Sequence, residues 1–515
     1  MALLPTTQPR WYRVNYAESD RNLDKGWMPQ TTDIVRKREN NDVVDAWKVD
    51  PHNSHLVPSP PASISSRTVR IPNVKILTPL QVGGGSFPEG GVLPAQMGGV
   101  PCVPGSSLRG AFLSYILDRL PDMSEAERTF WQSLIGSDRT GWQPRVIRFE
   151  ILWLRTIQPF PLNPQQDWQV FGTPNNKLGV QWQVPPTSAN EKALEVRVTF
   201  KKAPSPEESQ YVQQRMREML RDRGIGRGTA SGFGRLGNRT PNQQWEIKLT
   251  GMKPCIQPQI VRGGKVEQQG SYRWSPQVLR AHLRSYFTRI ALAYLEPEEA
   301  MELTRTIFGD LGCRARLRLS SFLKQQGRGL NAPGQNYTNI PARTAHEIWT
   351  IQVACNAEFT NLVDGLLNLS SSVGGLGPGW RRPPHKLERF NGFRGSEFSL
   401  DPCWQDMAIG QVVQRTYTIV RDLATQYGFH PSVQPTAVNG SIISIWQGQR
   451  QQWHEIVHEV CSSKNAERPS WCGRTNERPS GYTVKQESDC CWIAVFDREV
   501  EATLQEKGFQ RQLRI

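Results

Sequence analysis

The stretch 102–120, "CVPGSSLRGAFLSYILDRL", begins with one proline and two serines and continues with apolar residues at helical spacing. The residues that fall on one helical face are Leu108, Phe112, Tyr115, Ile116 and Leu120. The serines suit the capped start of a helix. A second stretch, 274–292, "WSPQVLRAHLRSYFTRIAL", repeats this pattern, and in both a Leu-Arg-small triplet opens the helix. The repeat predicts two units built on one plan.

Two further features recur in the same order after each of these helices. The first is a glycine turn that leads into a basic strand, seen as "LIGSDRTGWQPRVIRFEI" and again as "IFGDLGCRARLRLSSF". The second is a glycine-rich basic segment, "GIGRGTASGFGRLG" at 224–237 and "GGLGPGWRRPPH" at 374–385. Three features in the same order predict a tandem duplication.

The pattern within each half predicts an α+β fold with an antiparallel sheet. Residues 68–82 and 194–203 alternate like strands, and Ser205, Pro206 and Glu208 predict a capped helix that ends near Gly224. A helix after the first strand and another after the third favour the split βαβ arrangement, with helices on one face. The predicted domains are an N-terminal extension (1–66), a first domain (67–243) and a second (244–515), the last with an insertion at about 386–480.

Composition favours a polyanionic partner in a reducing compartment. The formal net charge is +15 and the pI is about 9.5, which fits nucleic acid, although an unspecific basic surface is the alternative. The nine cysteines lack the spacing of a secreted disulfide framework. The N-terminus does not resemble a signal peptide, and no run of residues is apolar enough to predict a membrane span. We therefore expect a cytoplasmic protein without a membrane partner.

The combination of "VPGSSLRG", a basic strand after a glycine turn and a late "GxGxxxxxGxGRL" segment resembles the RAMP superfamily of CRISPR effector complexes. The first half is most similar to the backbone subunits of type III complexes, and the second to RAMP subunits towards the 3′ end of the guide. The resemblance implies two tandem ferredoxin-like (RRM-like) domains that bind guide RNA. It also implies that they help to position single-stranded target RNA beside other subunits of the complex.

The resemblance implies RNA-binding roles for one set of residues in each half. Glycine-rich bends and helix starts offer backbone N–H groups to phosphate, and arginines neutralise it without reading sequence. In the first half the residues are Ser106, Ser107, Arg109, Gly226, Arg227, Gly228, Gly232, Gly234 and Arg235. In the second half they are Arg280, Gly374, Gly375, Gly377, Trp380, Arg381 and Arg382, with Trp380 as a base-stacking candidate. Phe233 suits either stacking on a base or packing under the loop.

Catalysis is an open alternative at one acidic residue. Catalytic backbone subunits of this family place an aspartate in the loop after the first strand, where it supports metal-dependent RNA cleavage. In this sequence that loop, 81–104, holds Glu89 as its only acid. The sequence therefore leaves open an endoribonuclease that uses Glu89 with a divalent cation, against a solvated glutamate in a non-catalytic subunit.

Two other motifs predict different chemistry. "HEIVH" matches the zincin pattern, in which His454 and His458 face one side of a helix, and Cys461 follows closely. The alternatives are a zinc metallohydrolase that uses Glu455, a structural zinc, or a solvated helix. The glycines of 224–237 also resemble a nucleotide-phosphate loop, but they follow a helix and precede a strand, the reverse of a dinucleotide fingerprint.

Overall fold

The structure of the chain, a computed structural model, is a mixed α+β fold. The described residues are 65–86, 92–97, 100–136, 141–154, 158–162, 170, 179–187, 191–238, 244–251, 259–262, 265–268, 274–310, 313–325, 348–376, 385–387, 392–394, 396–404, 407–461, 467–473, 480–487 and 490–515. They fall into two compact units. The first holds the described residues up to 238, apart from Val170, together with 259–268. The second holds Val170, 244–251 and 274–515.

Short helices and strands alternate along the described part of the chain. The α-helices are α1 Gly105–Arg119, α2 Glu125–Leu134, α3 Pro206–Glu218, α4 Pro276–Ala291, α5 Pro297–Phe308, α6 Thr360–Val373, α7 Ile409–Gln426, α8 Arg450–Glu455 and α9 Glu499–Glu506. The strands are β1 Thr68–Ile76, β2 Gly83–Ser86, β3 Val92–Pro94, β4 Gln96–Met97, β5 Val100–Val103, β6 Ile147–Phe149, β7 Leu152–Trp153, β8 Gln158–Leu162, β9 Gly179–Gln183, β10 Leu194–Phe200, β11 Leu236–Gly237, β12 Trp245–Gly251, β13 Gln259–Arg262, β14 Lys265–Gln268, β15 Leu319–Gln325, β16 Trp349–Cys355, β17 His385–Leu387, β18 Gly392–Arg394, β19 Ser396–Asp401, β20 Ser444–Gln449, β21 Tyr482–Glu487, β22 Cys490–Val495 and β23 Gln510–Arg514.

The main sheet of the first unit has the strand order β11-β1-β10-β6, and all neighbouring strands are antiparallel. In register, Thr68 lies opposite Thr199 and Ile71 opposite Val196. Helices α1 and α2 follow β1 in the chain, and α3 follows β10. The apolar side of β1 packs with these helices in one core, which contains the predicted α1 face.

The second unit contains two sheets with the same pairing plan. One has the order β15-β16-β12-β19, and the other, formed by residues 444–514, has the order β21-β22-β20-β23. When the four strands of each sheet are counted in chain order, the first pairs with the third and the fourth, and the third also pairs with the second. The described residues of the two units show this pairing plan three times.

Helix α4 is buried on nearly all sides by other parts of the second unit. Helix α4 contacts α5, α6, α7 and β15, and its Tyr286 and Arg289 pack against Phe496, which follows β22. The Arg289 guanidinium lies 3.9 Å from the Phe496 ring centroid and donates to the Gly440 carbonyl at 2.6 Å. The polar residues of α4 therefore serve packing rather than solvation.

Smaller sheets complete the described structure: β2-β3-β9-β8, β4-β5-β7, β13-β14 and β17-β18. The antiparallel α+β class predicted from the sequence is confirmed, with one parallel pair between β3 and β9. No helix in the described ranges is long and apolar enough to cross a membrane.

Candidate RNA-binding loop

The glycine-rich stretch 224–237 begins where α3 ends. The predicted capping box is confirmed: Ser205 Oγ accepts from the Glu208 N–H at 3.1 Å, and Glu208 Oε2 accepts from the Ser205 N–H at 2.7 Å. The helix continues as one π-helical turn over Met219–Arg223 and ends at Gly224, whose φ is 74°. The loop therefore starts from a fixed helix end.

Two glycines allow the loop backbone to approach other backbone closely. Gly226 has φ 88°, and a Cβ built on it would lie 2.3 Å from the Gln81 carbonyl oxygen. Gly234 has φ 67°, and its Cβ would lie 1.9 Å from the Ile225 carbonyl oxygen. Any side chain at either position would meet backbone in a conformation that L-residues avoid.

Hydrogen bonds attach the loop to the segment that follows β1. The Arg227 N–H donates to the Gln81 carbonyl at 2.8 Å, and the Gly234 N–H donates to the Pro79 carbonyl at 2.9 Å. The Arg235 N–H donates to Thr78 Oγ1 at 2.9 Å. Sequence reasoning did not identify residues 77–82 as the support for this loop, because the contact joins segments that are distant along the chain.

Two side chains of the loop lie inside it. Phe233 is 2% exposed and packs under Gly228, so the packing alternative holds in this structure. Arg235 is 0% exposed, and its Nη2 donates to the Thr229 carbonyl at 3.0 Å. The guanidinium of Arg235 stabilises the loop from within. Its predicted contact with phosphate has no support from this placement. Gly232 and Gly234 are buried as well, so they determine the conformation of the loop and do not form its exposed surface.

The exposed tip of the loop consists of Gly226, Arg227 and Gly228. The Arg227 Nε lies 3.2 Å from the position that a Cβ on Gly83 would occupy. The guanidinium thus extends over the start of the other glycine-rich segment of the first unit. The positive charge of Arg227 is therefore exposed on a loop whose backbone is held by hydrogen bonds.

Helix α1 begins differently from the expectation. Pro104 is its N-cap, no side chain caps it, and Ser106 and Ser107 lie within the first turn. The Pro104 carbonyl accepts from the N–H groups of Ser107 and Leu108 at 3.0 and 3.3 Å. The prediction that the serines cap the helix is therefore wrong. Ser106 and Arg109 are exposed and Ser107 is half-buried.

The loop tip and the start of α1 each lie against strands of the first sheet. The loop leads into β11, which pairs with Lys75 and Ile76 at the carboxyl end of β1, whereas α1 follows β5 in the chain. Gly105 touches the carboxyl end of β6, since a Cβ on it would lie 2.1 Å from the Phe149 carbonyl oxygen. Glu89 lies outside the described residues.

The second glycine-rich segment is placed differently from the first. Gly374 and Gly375 are buried, and a Cβ on Gly374 would lie 2.2 Å from Thr483 Oγ1 of β21. Gly374 has an extended backbone, with φ −173°, so this contact and not its dihedral angle favours glycine. Gly377, Trp380, Arg381 and Arg382 lie outside the described residues.

Arg280, the α4 counterpart of Arg109, is 5% exposed, and its guanidinium lies 5.7 Å from the Phe308 ring centroid. Burial, together with the neighbouring Arg284, lowers the pKa of Arg280 to about 9. The prediction that Arg280 contacts RNA has no support from this placement. The cause is the packing around α4, which has no counterpart around α1.

The predicted zinc ligands do not converge. His454 in α8 and His458 in the π-helical turn Ile456–Val460 have ring centroids 4.0 Å apart, so they do share a face. Cys461 forms a disulfide with Cys472 and presents no thiolate to a metal. Within the described ranges, no group of three or more His, Cys, Asp or Glu side chains is arranged to hold a metal ion. The zinc interpretation has no support from this arrangement.

The first unit also matches a known family. Residues 73–237 match the family model described as "RAMPs: RAMP superfamily". The matched residues run from within β1 to the end of β11, so they include α1, α3 and the whole glycine-rich loop. The remainder of the chain lies outside the match.

Similarity to solved structures is low in sequence. One similar solved structure is the crystal structure of Cmr6 from Pyrococcus furiosus. It is 15% identical, with a TM-score of 0.21, over 35% of this chain and 100% of that chain. None of the curated proteins matches the chain.

Proposed function

We propose that this protein binds guide RNA as a backbone subunit of a type III CRISPR effector complex. The observation that carries the proposal is the exposed Gly226-Arg227-Gly228 tip, fixed on a loop inside a RAMP superfamily domain. In this proposal the units are tandem ferredoxin-like RAMP domains, located towards the 3′ end of the guide. Their partners are the guide, single-stranded target RNA and neighbouring subunits.

The loop suits phosphate better than base recognition. Its tip offers backbone and one guanidinium, which neutralise phosphate without reading sequence. The loop is already held by the bonds from Arg227 and Gly234 to the segment after β1, so little ordering is needed when RNA binds. A guide whose sequence varies requires this kind of contact.

The start of α1 supplies a second contact in the proposal. Ser106 and Arg109 are exposed in its first turns, where a helix presents N–H groups and the positive end of its dipole. Because Pro104 caps the helix only through its carbonyl, the Ser106 hydroxyl serves no cap and suits a phosphate contact. The net charge of +15 favours the approach of RNA.

The proposal describes holding rather than cleaving RNA. Cleavage through Glu89, and contacts from Gly377, Trp380, Arg381 and Arg382, remain predictions from the resemblance. They contribute nothing to the argument from the loop of the first unit.

The first test is the nucleic acid that copurifies with the chain and its neighbours. We expect a small RNA that contains repeat-derived sequence. Nucleic-acid-free protein that stays apart from those neighbours contradicts the proposal.

The second test is the salt dependence of single-stranded RNA binding. Arg227→Ala is compared with Arg119→Ala, which removes the same charge at the other end of α1, about 21 Å from the helix start. Loss of one phosphate contact is expected to reduce the slope of log K against log salt by about 0.7 for Arg227→Ala only. Equal slopes for the two variants would place the RNA elsewhere.

A further inference from the structure

A cavity in the second unit lies where β19 ends and α7 begins. Its volume is about 600 Å³, and its lining residues are Asp401, Pro402, Cys403, Trp404, Met407 and Arg415. Asp401, Cys403 and Arg415 are exposed, whereas Trp404 and Met407 are half-buried. The cavity is thus open to solvent, with an aromatic ring in its wall. It has no part in the loop of the first unit.

The indole of Trp404 is held in one orientation by α6. Its Nε1 donates to Asp364 Oδ2 at 2.7 Å, and its backbone N–H donates to Asn368 Oδ1 at 2.7 Å. The same carboxylate accepts from Trp245 Nε1 at 2.8 Å and from Asn368 Nδ2 at 3.1 Å. Because Asp364 and Asn368 are themselves fixed by these bonds, the ring does not need to be ordered when a ligand enters.

Arg415 of α7 lies over this ring. Its guanidinium carbon is 4.1 Å from the Trp404 ring centroid, within the range of a cation–π contact. The ring holds the planar guanidinium at the surface of the cavity. An arginine plane held in this way is a stacking surface for a nucleobase and also a positive charge for the adjoining phosphate.

Asp401 adds a carboxylate to the same cavity. A carboxylate accepts hydrogen bonds from the exocyclic amino group of cytosine, or from the amino and imino groups of guanine, whereas the N3–H donor of uracil lies between two carbonyl acceptors, O2 and O4. The cavity therefore combines a planar cation on an aromatic ring with an acceptor that distinguishes amino-bearing bases.

We propose that this cavity binds an unpaired base of single-stranded RNA, stacked on the Arg415–Trp404 pair, and that Asp401 favours cytosine over uracil. The inference rests on the proposed function in taking RNA as the ligand. It assigns to the second unit a base-reading contact that the phosphate-binding loop of the first unit does not make.

The test measures binding of the full-length chain to oligocytidine and oligouridine by fluorescence anisotropy. Arg415→Lys keeps the charge, removes the planar surface and leaves the bonds of Trp404 intact. We expect it to weaken oligocytidine binding about five-fold or more, the loss of one stacked base. The matched control is Arg421→Lys, a half-buried residue of the same helix that pairs with Asp422. It should bind like the wild-type chain.

Three further measurements decide between outcomes. Asp401→Asn should bring the ratio of oligocytidine to oligouridine affinity towards one. Wild type and Arg415→Lys should bind an oligonucleotide with abasic positions with the same affinity. If the wild-type chain binds abasic and intact RNA equally well, the proposal is wrong. If Arg415→Lys binds RNA normally but loses a neighbouring subunit from the purified complex, the cavity binds protein and the proposal is wrong.

Failure of this proposal is distinguishable from failure of the proposed function. Arg227→Ala should weaken oligocytidine and oligouridine binding equally and leave their ratio unchanged. If Arg415→Lys has the expected effect and Arg227→Ala has none, the loop assignment fails while the cavity assignment stands. If Arg227→Ala has the expected effect and Arg415→Lys has none, the loop assignment stands and the cavity assignment fails.

Discussion

Replacing Gly226 by alanine should weaken the first unit by an amount that the geometry sets. The new Cβ would lie 2.3 Å from the Gln81 carbonyl oxygen, so the two backbones must separate by about 1 Å. That movement breaks the 2.8 Å bond from Arg227 N–H to Gln81, a loss of about 1 kcal/mol. The φ of 88° adds about 1–2 kcal/mol for a residue with a side chain. We therefore expect the free energy of unfolding to fall by about 2–3 kcal/mol.

Urea unfolding followed by tryptophan fluorescence measures this change, with two alanine controls. Gly428 has φ 82° but nothing within 4 Å of its Cβ position, so Gly428→Ala should cost only the backbone strain of about 1–2 kcal/mol. Gly110, within α1, also has nothing within 4 Å, and alanine there should stabilise by about 0.5–1 kcal/mol. If Gly226→Ala costs no more than Gly428→Ala, the loop does not lie on Gln81. RNA binding should fall with the stability of the loop.

Three other expectations concern packing and charge. Gly374→Ala should destabilise the second unit, because the new Cβ would lie 2.2 Å from Thr483 Oγ1. In a double-mutant cycle of unfolding free energies, the Gly374→Ala/Thr483→Ala variant should lose less stability than the sum of the two single variants. Strict additivity would refute the contact. Arg215→Met should lower the free energy of unfolding by about 3 kcal/mol, because it leaves the buried Glu127 carboxylate without its two 2.7 Å bonds from Arg215. The control Arg119→Met, at an exposed residue, should lower it by less than about 1 kcal/mol. Similar losses for the two variants in urea unfolding would refute burial of the Arg215–Glu127 pair. Burial alone would raise the pKa of Glu127, but the hydrogen bonds from Arg215 and Trp131 outweigh it, so the folded-state pKa lies below the usual 4.5. The contribution of Glu127 to stability should therefore be complete above pH 4.5 and be lost as the pH falls through that lower folded-state pKa. Glu127→Gln should flatten this part of the profile of unfolding free energy against pH.

Local signals predicted local structure well. The capping box of Ser205 and Glu208 and the end of the helix at Gly224 are confirmed, because both depend on neighbours within a few residues. The buried face of α1 is confirmed for the same reason, since helical spacing alone determines it. The serines of α1 fail as caps because Pro104, with its extended ψ of 141°, already occupies the cap position.

Contacts between distant segments were not predictable from these signals. Gly226 and Gly374 both read as loop glycines, but one lies on Gln81 with an exposed neighbour and the other is covered by Thr483. The burial of Arg280 has the same origin, since Phe308 at the end of α5 lies against its guanidinium. Trp404 and Arg415 carry no motif, and only the bonds to Asp364 and Asn368 bring the ring into a cavity wall.

The most direct test of RNA binding by the first unit is ultraviolet crosslinking of the purified complex, followed by mass spectrometry of the RNA-bound peptides. The account predicts crosslinked peptides from the loop 224–237 and from the start of α1 at Ser106–Arg109. The loop crosslink should be lost in Arg227→Ala and kept in Arg119→Ala. A complex whose RNA crosslinks to this chain only outside these two segments would contradict the account.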